Sequence, residues 1–179
     1  MKPWPRIVPR SAGEKRLLLI SLSLALLTLA ADQLSKFWFV KHFSLFQTRP
    51  IFDGWLNFTY VRNTGAAWSM FSGQVWPLLT FGLLVAAGIV IWFRKLAENC
   101  PERYVALMLV LSGIVGNSID RCFRKAVVDF IHVHYLEIWH YPVFNIADMA
   151  ICCGIGIFML SGFLRKNLKT DESDADGER

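Results

Sequence analysis

Hydrophobic residues gather in four long stretches, and polar residues concentrate between them and at the two chain ends. The apolar stretches cover residues 17–40, 75–93, 104–119 and 144–164. An α-helix needs about 20 mostly apolar residues to cross the core of a bilayer. The pattern therefore predicts four transmembrane helices, of which the third needs some extension beyond its apolar residues.

The two longer polar segments between these stretches predict different structures. Segment 41–74 contains aromatic residues on either side of a turn, namely Phe52, Trp55, Phe58 and Tyr60 around Asp53 and Gly54. Aromatic residues that flank a turn of this kind favour a short β-hairpin, here expected to lie on the membrane. Segment 120–143 is too apolar for a free loop, so we expect it to lie in the membrane interface or to pack on the bundle.

Composition supports a membrane protein. Hydrophobic residues make up 54% of the 179 residues, and the mean hydropathy is +0.39. Both values exceed what a soluble domain of this length usually has. We predict an all-α membrane protein of four transmembrane helices, with a small external β-structured cradle and a short external segment over the active site.

The positive charge indicates membrane topology. The net charge is +5, but basic residues do not alternate with aromatic residues along a stripe, so we expect no nucleic-acid partner. Twelve lysines and arginines lie in 1–16, 94–103 and 165–179, against six in 41–74 and 120–143. Since positive loops stay in the cytoplasm, both termini are predicted inside.

The chain ends are predicted to lie outside the membrane-embedded core at 17–164. Residues 1–16 form a basic leader that resembles the start of a secretory signal, but no small-residue cleavage site follows the apolar run. We therefore interpret the first apolar stretch as a retained anchor. Residues 165–179 are acidic and poor in apolar residues, which predicts a disordered tail.

Neither cysteine nor histidine spacing indicates a metal or redox site. The four cysteines lack the spacings of zinc or redox motifs, and we interpret them as small buried hydrophobic residues. His132 and His134 would share one face of a strand, but no third ligand is well placed beside them in the sequence. We expect no metal and no cofactor.

Polar residues converge at the predicted outer end of the bundle. They occur where apolar stretches end or begin, and they are Asp32, Lys36, Asn117, Asp120, Arg121, Asn145 and Asp148. Spacings of three and four residues place each set on one helix face. Two readings stay open: these residues form a site, or they are ion pairs and interhelical hydrogen bonds that only support the bundle.

Two further features bear on this polar layer. Ser112, Gly113 and Gly116 are small enough for another helix to approach closely one turn deeper. Asn63 lies two residues before Gly65, and its alternative interpretation is that it only forms a turn with that glycine. Together they predict a tightly packed polar pocket.

Asp129 and Asp148 are the strongest candidates for chemistry. Each lies in an apolar run, and Asp148 has no basic residue at helical spacing. Two adjacent desolvated carboxylates do not both ionise easily, so one pKa rises and the pair shares a proton. One acid can then accept a proton from water while the other donates one to a carbonyl, as in aspartic peptidases.

A transporter or accessory subunit that carries protons on these aspartates is the alternative of a different class. Transporters usually contain internal repeats and hold their acids near the bilayer midplane. This sequence has no internal repeat, and its acids lie towards one surface. The pattern favours hydrolysis.

Five ordered motifs resemble one known family. They are DQLSK at 32–36, NTGAAWSMF at 63–71, GIVGNSIDR at 113–121, VVDFI at 127–131 and FNIADMAI at 144–151. Together they resemble the bacterial lipoprotein signal peptidase, or signal peptidase II, over residues 17–164. The resemblance implies a monomeric aspartic endopeptidase of the inner membrane, embedded among membrane lipids. Its implied substrates are diacylglyceryl-modified prolipoproteins, cut before the lipid-modified cysteine.

The resemblance also implies roles for individual residues. Asp129 and Asp148 match the catalytic pair. The matches to positions that bind substrate or support the site are Asp32, Lys36, Asn63, Gly65, Asn117, Asp120, Arg121, Asn145 and Ala147. The sequence departs from the family at Ser112, where a second glycine is common, and close packing is expected to persist there.

The charge distribution gives a testable topology. In a cysteine-free background, a membrane-impermeant thiol reagent applied to intact cells should label a cysteine introduced at Ser44 but not one at Ser173, because 41–74 is predicted outside and the C-terminus inside. Labelling at Ser173 alone would place the acids on the cytoplasmic side and overturn this topology.

Overall fold

Four helices form the body of the protein. The computed structural model describes residues 11–66, 70–136 and 138–177, with side chains up to 165. The helices are α1 (Ala12–His42), α2 (Val75–Ala97), α3 (Pro101–Arg124) and α4 (Ile146–Gly177). Each contains a segment long and apolar enough to cross a membrane, which confirms the four predicted spans.

The helix ends differ from the predicted boundaries. Helix α1 begins inside the predicted basic leader, where the Ser11 hydroxyl caps it by accepting a hydrogen bond from the Glu14 amide at 3.1 Å. The first ten residues of that leader lie outside the described residues. Helix α3 continues to Arg124, past its apolar residues, because its polar residues Asn117 and Asp120 are buried against other elements.

The C-terminal segment 165–179 was predicted to be disordered, but it is helical as far as Gly177. Helix α4 therefore continues well beyond its last apolar residues. No proline or glycine stands between Phe163 and Gly177 to interrupt the helix.

Helix α3 occupies the centre of the bundle. It packs on α1, α2 and α4, and it is the most buried of the four spans. A Cβ atom at Gly113 would overlap the carbonyl oxygen of Ala147, and one at Gly116 would lie 2.6 Å from Asp32 Oδ2. Ser112 is buried, and its hydroxyl donates to the Leu109 carbonyl at 2.8 Å. The small residues thus let α4 and α1 approach α3, as predicted.

A four-stranded antiparallel sheet covers one end of the bundle. Its strands are β1 (Thr48–Phe52), β2 (Leu56–Asn63), β3 (Val127–Tyr135) and β4 (Trp139–His140), paired in that order. The hairpin of β1 and β2, which turns at Gly54 with φ +78°, confirms the predicted β-structure. The sequence did not predict that the second segment forms β3 and pairs with β2.

An aromatic cluster joins the sheet to α1. Phe39 of α1 and Phe43, directly after its end, pack with Tyr60 of β2 and with Val128 and Phe130 of β3. The Phe39 and Phe130 rings stack with centroids 4.2 Å apart. Because side chains alternate along a strand, burying Val128 and Phe130 in this cluster turns the residue between them to the opposite face.

The close contact between α3 and α4 is testable. We expect Gly113→Ala to lower stability by about 2 kcal/mol, since a Cβ there overlaps backbone that cannot rotate away. The matched control is Gly156→Ala on α4, where a Cβ would meet nothing within 4 Å. Apparent melting temperatures of both variants in detergent check this prediction, and equal temperatures would contradict it.

Candidate active site

Asp129 and Asp148 lie on the same cavity at the sheet end of the bundle. This carboxylate pocket has a volume of about 330 Å³ and is also lined by Asn63, Asn117 and Arg121. Asp129 comes from β3 and is only 2% exposed, whereas Asp148 comes from the first turn of α4. Two carboxylates that are far apart in the sequence therefore share one partly enclosed site.

Asn145 bridges the two carboxylates. Its Nδ2 donates to Asp129 Oδ1 at 2.6 Å, and its Oδ1 accepts from the Asp148 amide at 2.9 Å. In return, Asp148 Oδ2 accepts from the Asn145 backbone amide at 3.2 Å. This reciprocal pattern is a capping box, which fixes the start of α4 and the Asp148 side chain together.

A second amide holds each acid. Asn63 Nδ2 donates to Asp129 Oδ2 at 3.1 Å, and Asn117 Nδ2 donates to Asp148 Oδ1 at 2.7 Å. Asn117 Oδ1 in turn accepts from Asn145 at 3.2 Å and from Lys36 at 3.0 Å. The three asparagines thus orient both carboxylates, and Asn117 also forms the interhelical hydrogen bonds that were expected from the sequence.

A buried ion network lies behind the amides. Lys36 is fully buried, with its Nζ 2.9 Å from Asp32 and 3.0 Å from Asp120. Asp32 Oδ1 accepts from the Ala147 amide at 2.9 Å, and Asp120 Oδ2 accepts from the Val128 amide at 3.1 Å. The two anions that neutralise Lys36 therefore also hold the backbone beside Asp148 and Asp129.

Asp120 and Arg121 are adjacent in the sequence but have different partners. Asp120 pairs with Lys36 and with Arg124, which lies four residues further along α3. Neighbouring residues on a helix point in different directions, so Arg121 faces the carboxylate pocket instead. Its Nη2 donates to the Gly65 carbonyl at 3.1 Å, and its buried Nε has no hydrogen-bond partner among the described residues.

Gly65 has both of its backbone polar groups engaged. Its amide donates to Asn63 Oδ1 at 2.9 Å, while its carbonyl binds Arg121. Gly65 is buried on the pocket wall. The loop after β2 is therefore tied to the residue that orients Asp129.

The eleven candidate residues named from the sequence all belong to this connected layer. Three contributors were not among them. Arg124 pairs with Asp120, Gln33 Nε2 donates to the Gly116 carbonyl at 3.1 Å, and Tyr141 lines the pocket. The i,i+4 spacing from Asp120 was a signal for Arg124, but the sequence offered none for Tyr141.

Burial and charge repulsion raise the pKa of Asp129 to about 7. Removal from water has the largest effect, and the nearby Asp148 adds to it. Hydrogen bonds from Asn63 and Asn145 and the charge of Lys36 act in the opposite direction. A proton on Asp129 is therefore exchangeable near neutral pH.

The layer is electrically balanced when the acid pair holds one proton. Its acids are Asp32, Asp120, Asp129 and Asp148, and its cations are Lys36, Arg121 and Arg124. Three negative charges then face three positive ones. Neutrality of this kind suits a low-dielectric site, where an uncompensated charge is costly.

The histidines and cysteines differ from expectation. His140 of β4 lies beside His132, with 3.3 Å between His140 Nδ1 and His132 Nε2. Within the described residues, no group of three or more His, Cys, Asp or Glu is arranged to hold a metal ion. Only Cys100 is buried among the four cysteines, so the interpretation of all four as buried was wrong. The other three lie on exposed helix faces, and Cys152 also lines the carboxylate pocket.

Known proteins resemble the chain along most of its length. The lipoprotein signal peptidase of Bacillus pumilus (strain SAFR-032) is 41% identical over 150 residues, covering 84% of this chain and 96% of the relative. That of Bacillus subtilis (strain 168) is 42% identical over 149 residues, covering 83% and 96%. A solved bacterial membrane enzyme superimposes with a TM-score of 0.75 at 29% identity, covering 83% of this chain and 89% of that one.

A family model agrees with these relatives. The model described as Signal peptidase (SPase) II matches residues 24–164, which include both aspartates and at least part of each of the four spans. The family consists of aspartic peptidases. With this match, the identity to curated relatives and the shared fold, the chain belongs to the signal peptidase II family.

Proposed function

We propose that this protein removes signal peptides from lipid-modified lipoprotein precursors, with Asp129 and Asp148 as its catalytic pair. The observation that carries the proposal is the position of the two acids. They are held by shared amides at the junction between a polar pocket and a large apolar groove. An enzyme that cuts a peptide bond beside an apolar segment needs a polar pocket for the reacting groups and an apolar groove for that segment.

The acid pair supplies general acid–base chemistry. The ionised carboxylate takes a proton from a water molecule, and the water oxygen attacks the carbon of the scissile carbonyl. The protonated carboxyl gives its proton to the carbonyl oxygen, which forms a neutral tetrahedral intermediate. Proton transfer to the amide nitrogen then breaks the C–N bond, and a carboxylic acid and an amine leave.

The surrounding amides keep the two acids ready for this exchange. Asn145 contacts both residues, so they stay at a fixed separation while the proton moves. Arg121 lines the same pocket, where its positive charge acts on both carboxylates.

The apolar groove suits the remainder of the substrate. Its volume is about 910 Å³, and Leu78, Phe81 and Val85 of α2 form much of one wall. It shares Asn117, Arg121 and Asp148 with the carboxylate pocket. A hydrophobic signal segment or the acyl chains of a diacylglyceryl-cysteine fill such a groove, which puts the bond before that cysteine at the acid pair.

The same proposal includes a place in the cell. We assign the sheet end to the outer face of the bacterial inner membrane and both termini to the cytoplasm, on the distribution of lysine and arginine. Large apolar side chains are exposed along the sheet, among them Phe46, Phe52, Trp55 and Trp139. Such residues suit contact with membrane lipid. The proposal also includes that the enzyme acts as a monomer.

Replacing either acid tests the catalytic pair. Asp129→Asn and Asp148→Asn keep size and polarity but remove the exchangeable proton, so we expect signal-peptide release to fall about 10³-fold. The double variant should lose about as much as each single variant, because the two residues act as a unit. Rates are measured on a diacylglyceryl-modified precursor with purified protein.

Asp53→Asn is the control, since Asp53 is an exposed acid at the turn between β1 and β2. Melting temperature and precursor binding show that each variant is folded. Near-normal turnover by either folded single variant would rule out the two-aspartate mechanism.

The pH dependence tests the shared proton. The proton leaves the pair as pH rises through the raised pKa of Asp129, about 7, so kcat/KM should fall above that pH. Asn63 donates to the ionised carboxylate, so Asn63→Ala should move this decline to higher pH. Thr64→Ala is the matched control, since the Thr64 hydroxyl lies 3.1 Å from that of Ser72 and does not touch the acids. A decline that stays in place in Asn63→Ala would contradict the assignment.

A further inference from the structure

A second groove lies at the end of the bundle opposite the carboxylate pocket. It has a volume of about 510 Å³ and opens between α2, α3 and α4. Its main contributors are Gly88, Ile89, Trp92, Lys95, Arg103 and Phe158. None of these residues takes part in the acid pair or in the ion network around Lys36.

The groove is apolar along its length and cationic at its mouth. Gly88 leaves space there, since a Cβ would meet only the Trp92 ring, at 3.7 Å. Trp92 is 52% exposed and stands near the end of α2, where tryptophan settles at the level of lipid headgroups. Lys95 follows one turn later and is exposed. Along α2, the apolar residues of the groove therefore come before the cation, in the same order as the acyl chain and the headgroup of a phospholipid.

Arg103 adds a second cation whose orientation is fixed. It is 7% exposed, and its Nε donates to the Ser161 hydroxyl at 3.0 Å. Its guanidinium lies over the Phe158 ring at 5.3 Å. The anion paired with it is Glu98, at 2.7 Å, whose side chain is 62% exposed. Because Glu98 approaches from the solvent side, a phosphate can take its place without disturbing the bonds that hold Arg103.

We propose that this groove binds an anionic glycerophospholipid. One acyl chain lies along Gly88, Ile89 and Phe158, and the phosphate lies between Lys95 and Arg103. Two cations against one displaceable carboxylate favour a headgroup with net negative charge. A zwitterionic choline headgroup brings its own cation to the same two residues and gains less.

Fluorescence quenching of Trp92 tests the proposal. The full-length protein is placed in nanodiscs of phosphatidylcholine that contain a minor fraction of either brominated phosphatidylglycerol or brominated phosphatidylcholine. The difference between wild type and Trp92→Phe isolates the Trp92 signal from the other tryptophans. We expect an apparent affinity about fivefold higher for the anionic lipid for each cation engaged.

Two variants remove the binding features one at a time. Lys95→Gln should reduce the preference for the anionic lipid about fivefold. Gly88→Leu should reduce quenching by both lipids, because the side chain fills the groove. Lys41→Gln is the control and should behave as wild type, because Lys41 is an exposed cation in the last turn of α1, away from the groove.

Melting temperatures in detergent show that the variants are folded, without reference to peptidase activity. Equal quenching of wild-type Trp92 by the two brominated lipids would overturn the proposal. A full preference retained by Lys95→Gln, or undiminished quenching in Gly88→Leu, would overturn it as well.

Discussion

The fully buried Lys36 is the constraint on which the architecture depends. An ammonium group removed from water costs several kcal/mol unless its charge is met, so Asp32 and Asp120 have to remain beside it. This requirement sets the register of α1 against α3. Loss of one partner leaves an uncompensated buried charge and costs about 3–5 kcal/mol.

The same anions carry this order to the acid pair. Asp32 binds the backbone of the first turn of α4, and Asp120 binds the backbone of β3 one residue before Asp129. The approach of Asp32 requires glycine at position 116, and the approach of α4 requires glycine at position 113. Asp148 is at once a helix-capping residue and one of the two acids, so the start of α4 cannot move without moving the acid.

The sequence predicted the four helices, the hairpin and the residues of the polar layer, because hydrophobic runs and helical spacing are local signals. Pairing between β2 and β3 was not predictable, since the partner of a strand distant in sequence depends on register and packing. For the same reason the contact of His132 with His140 and the place of Tyr141 on the pocket wall were missed. The sequence predicted that α3 extends beyond its apolar residues but not how far, because Asn117 and Asp120 resemble the end of an apolar span although they are buried.

Helix α2 stands apart from the ion network. It packs chiefly on α3, and the charged contacts of Lys36 link α1 and α3, while α4 joins them through the Ala147 amide. At the end remote from the sheet, Arg94 of α2 binds Glu14 of α1 at 2.6 Å. Because α2 borders the apolar groove and holds neither carboxylate, a change in its tilt would alter the width of the groove without breaking a hydrogen bond to the acids. Access of a bulky substrate therefore depends on α2, whereas the geometry of the acids depends on other parts of the bundle.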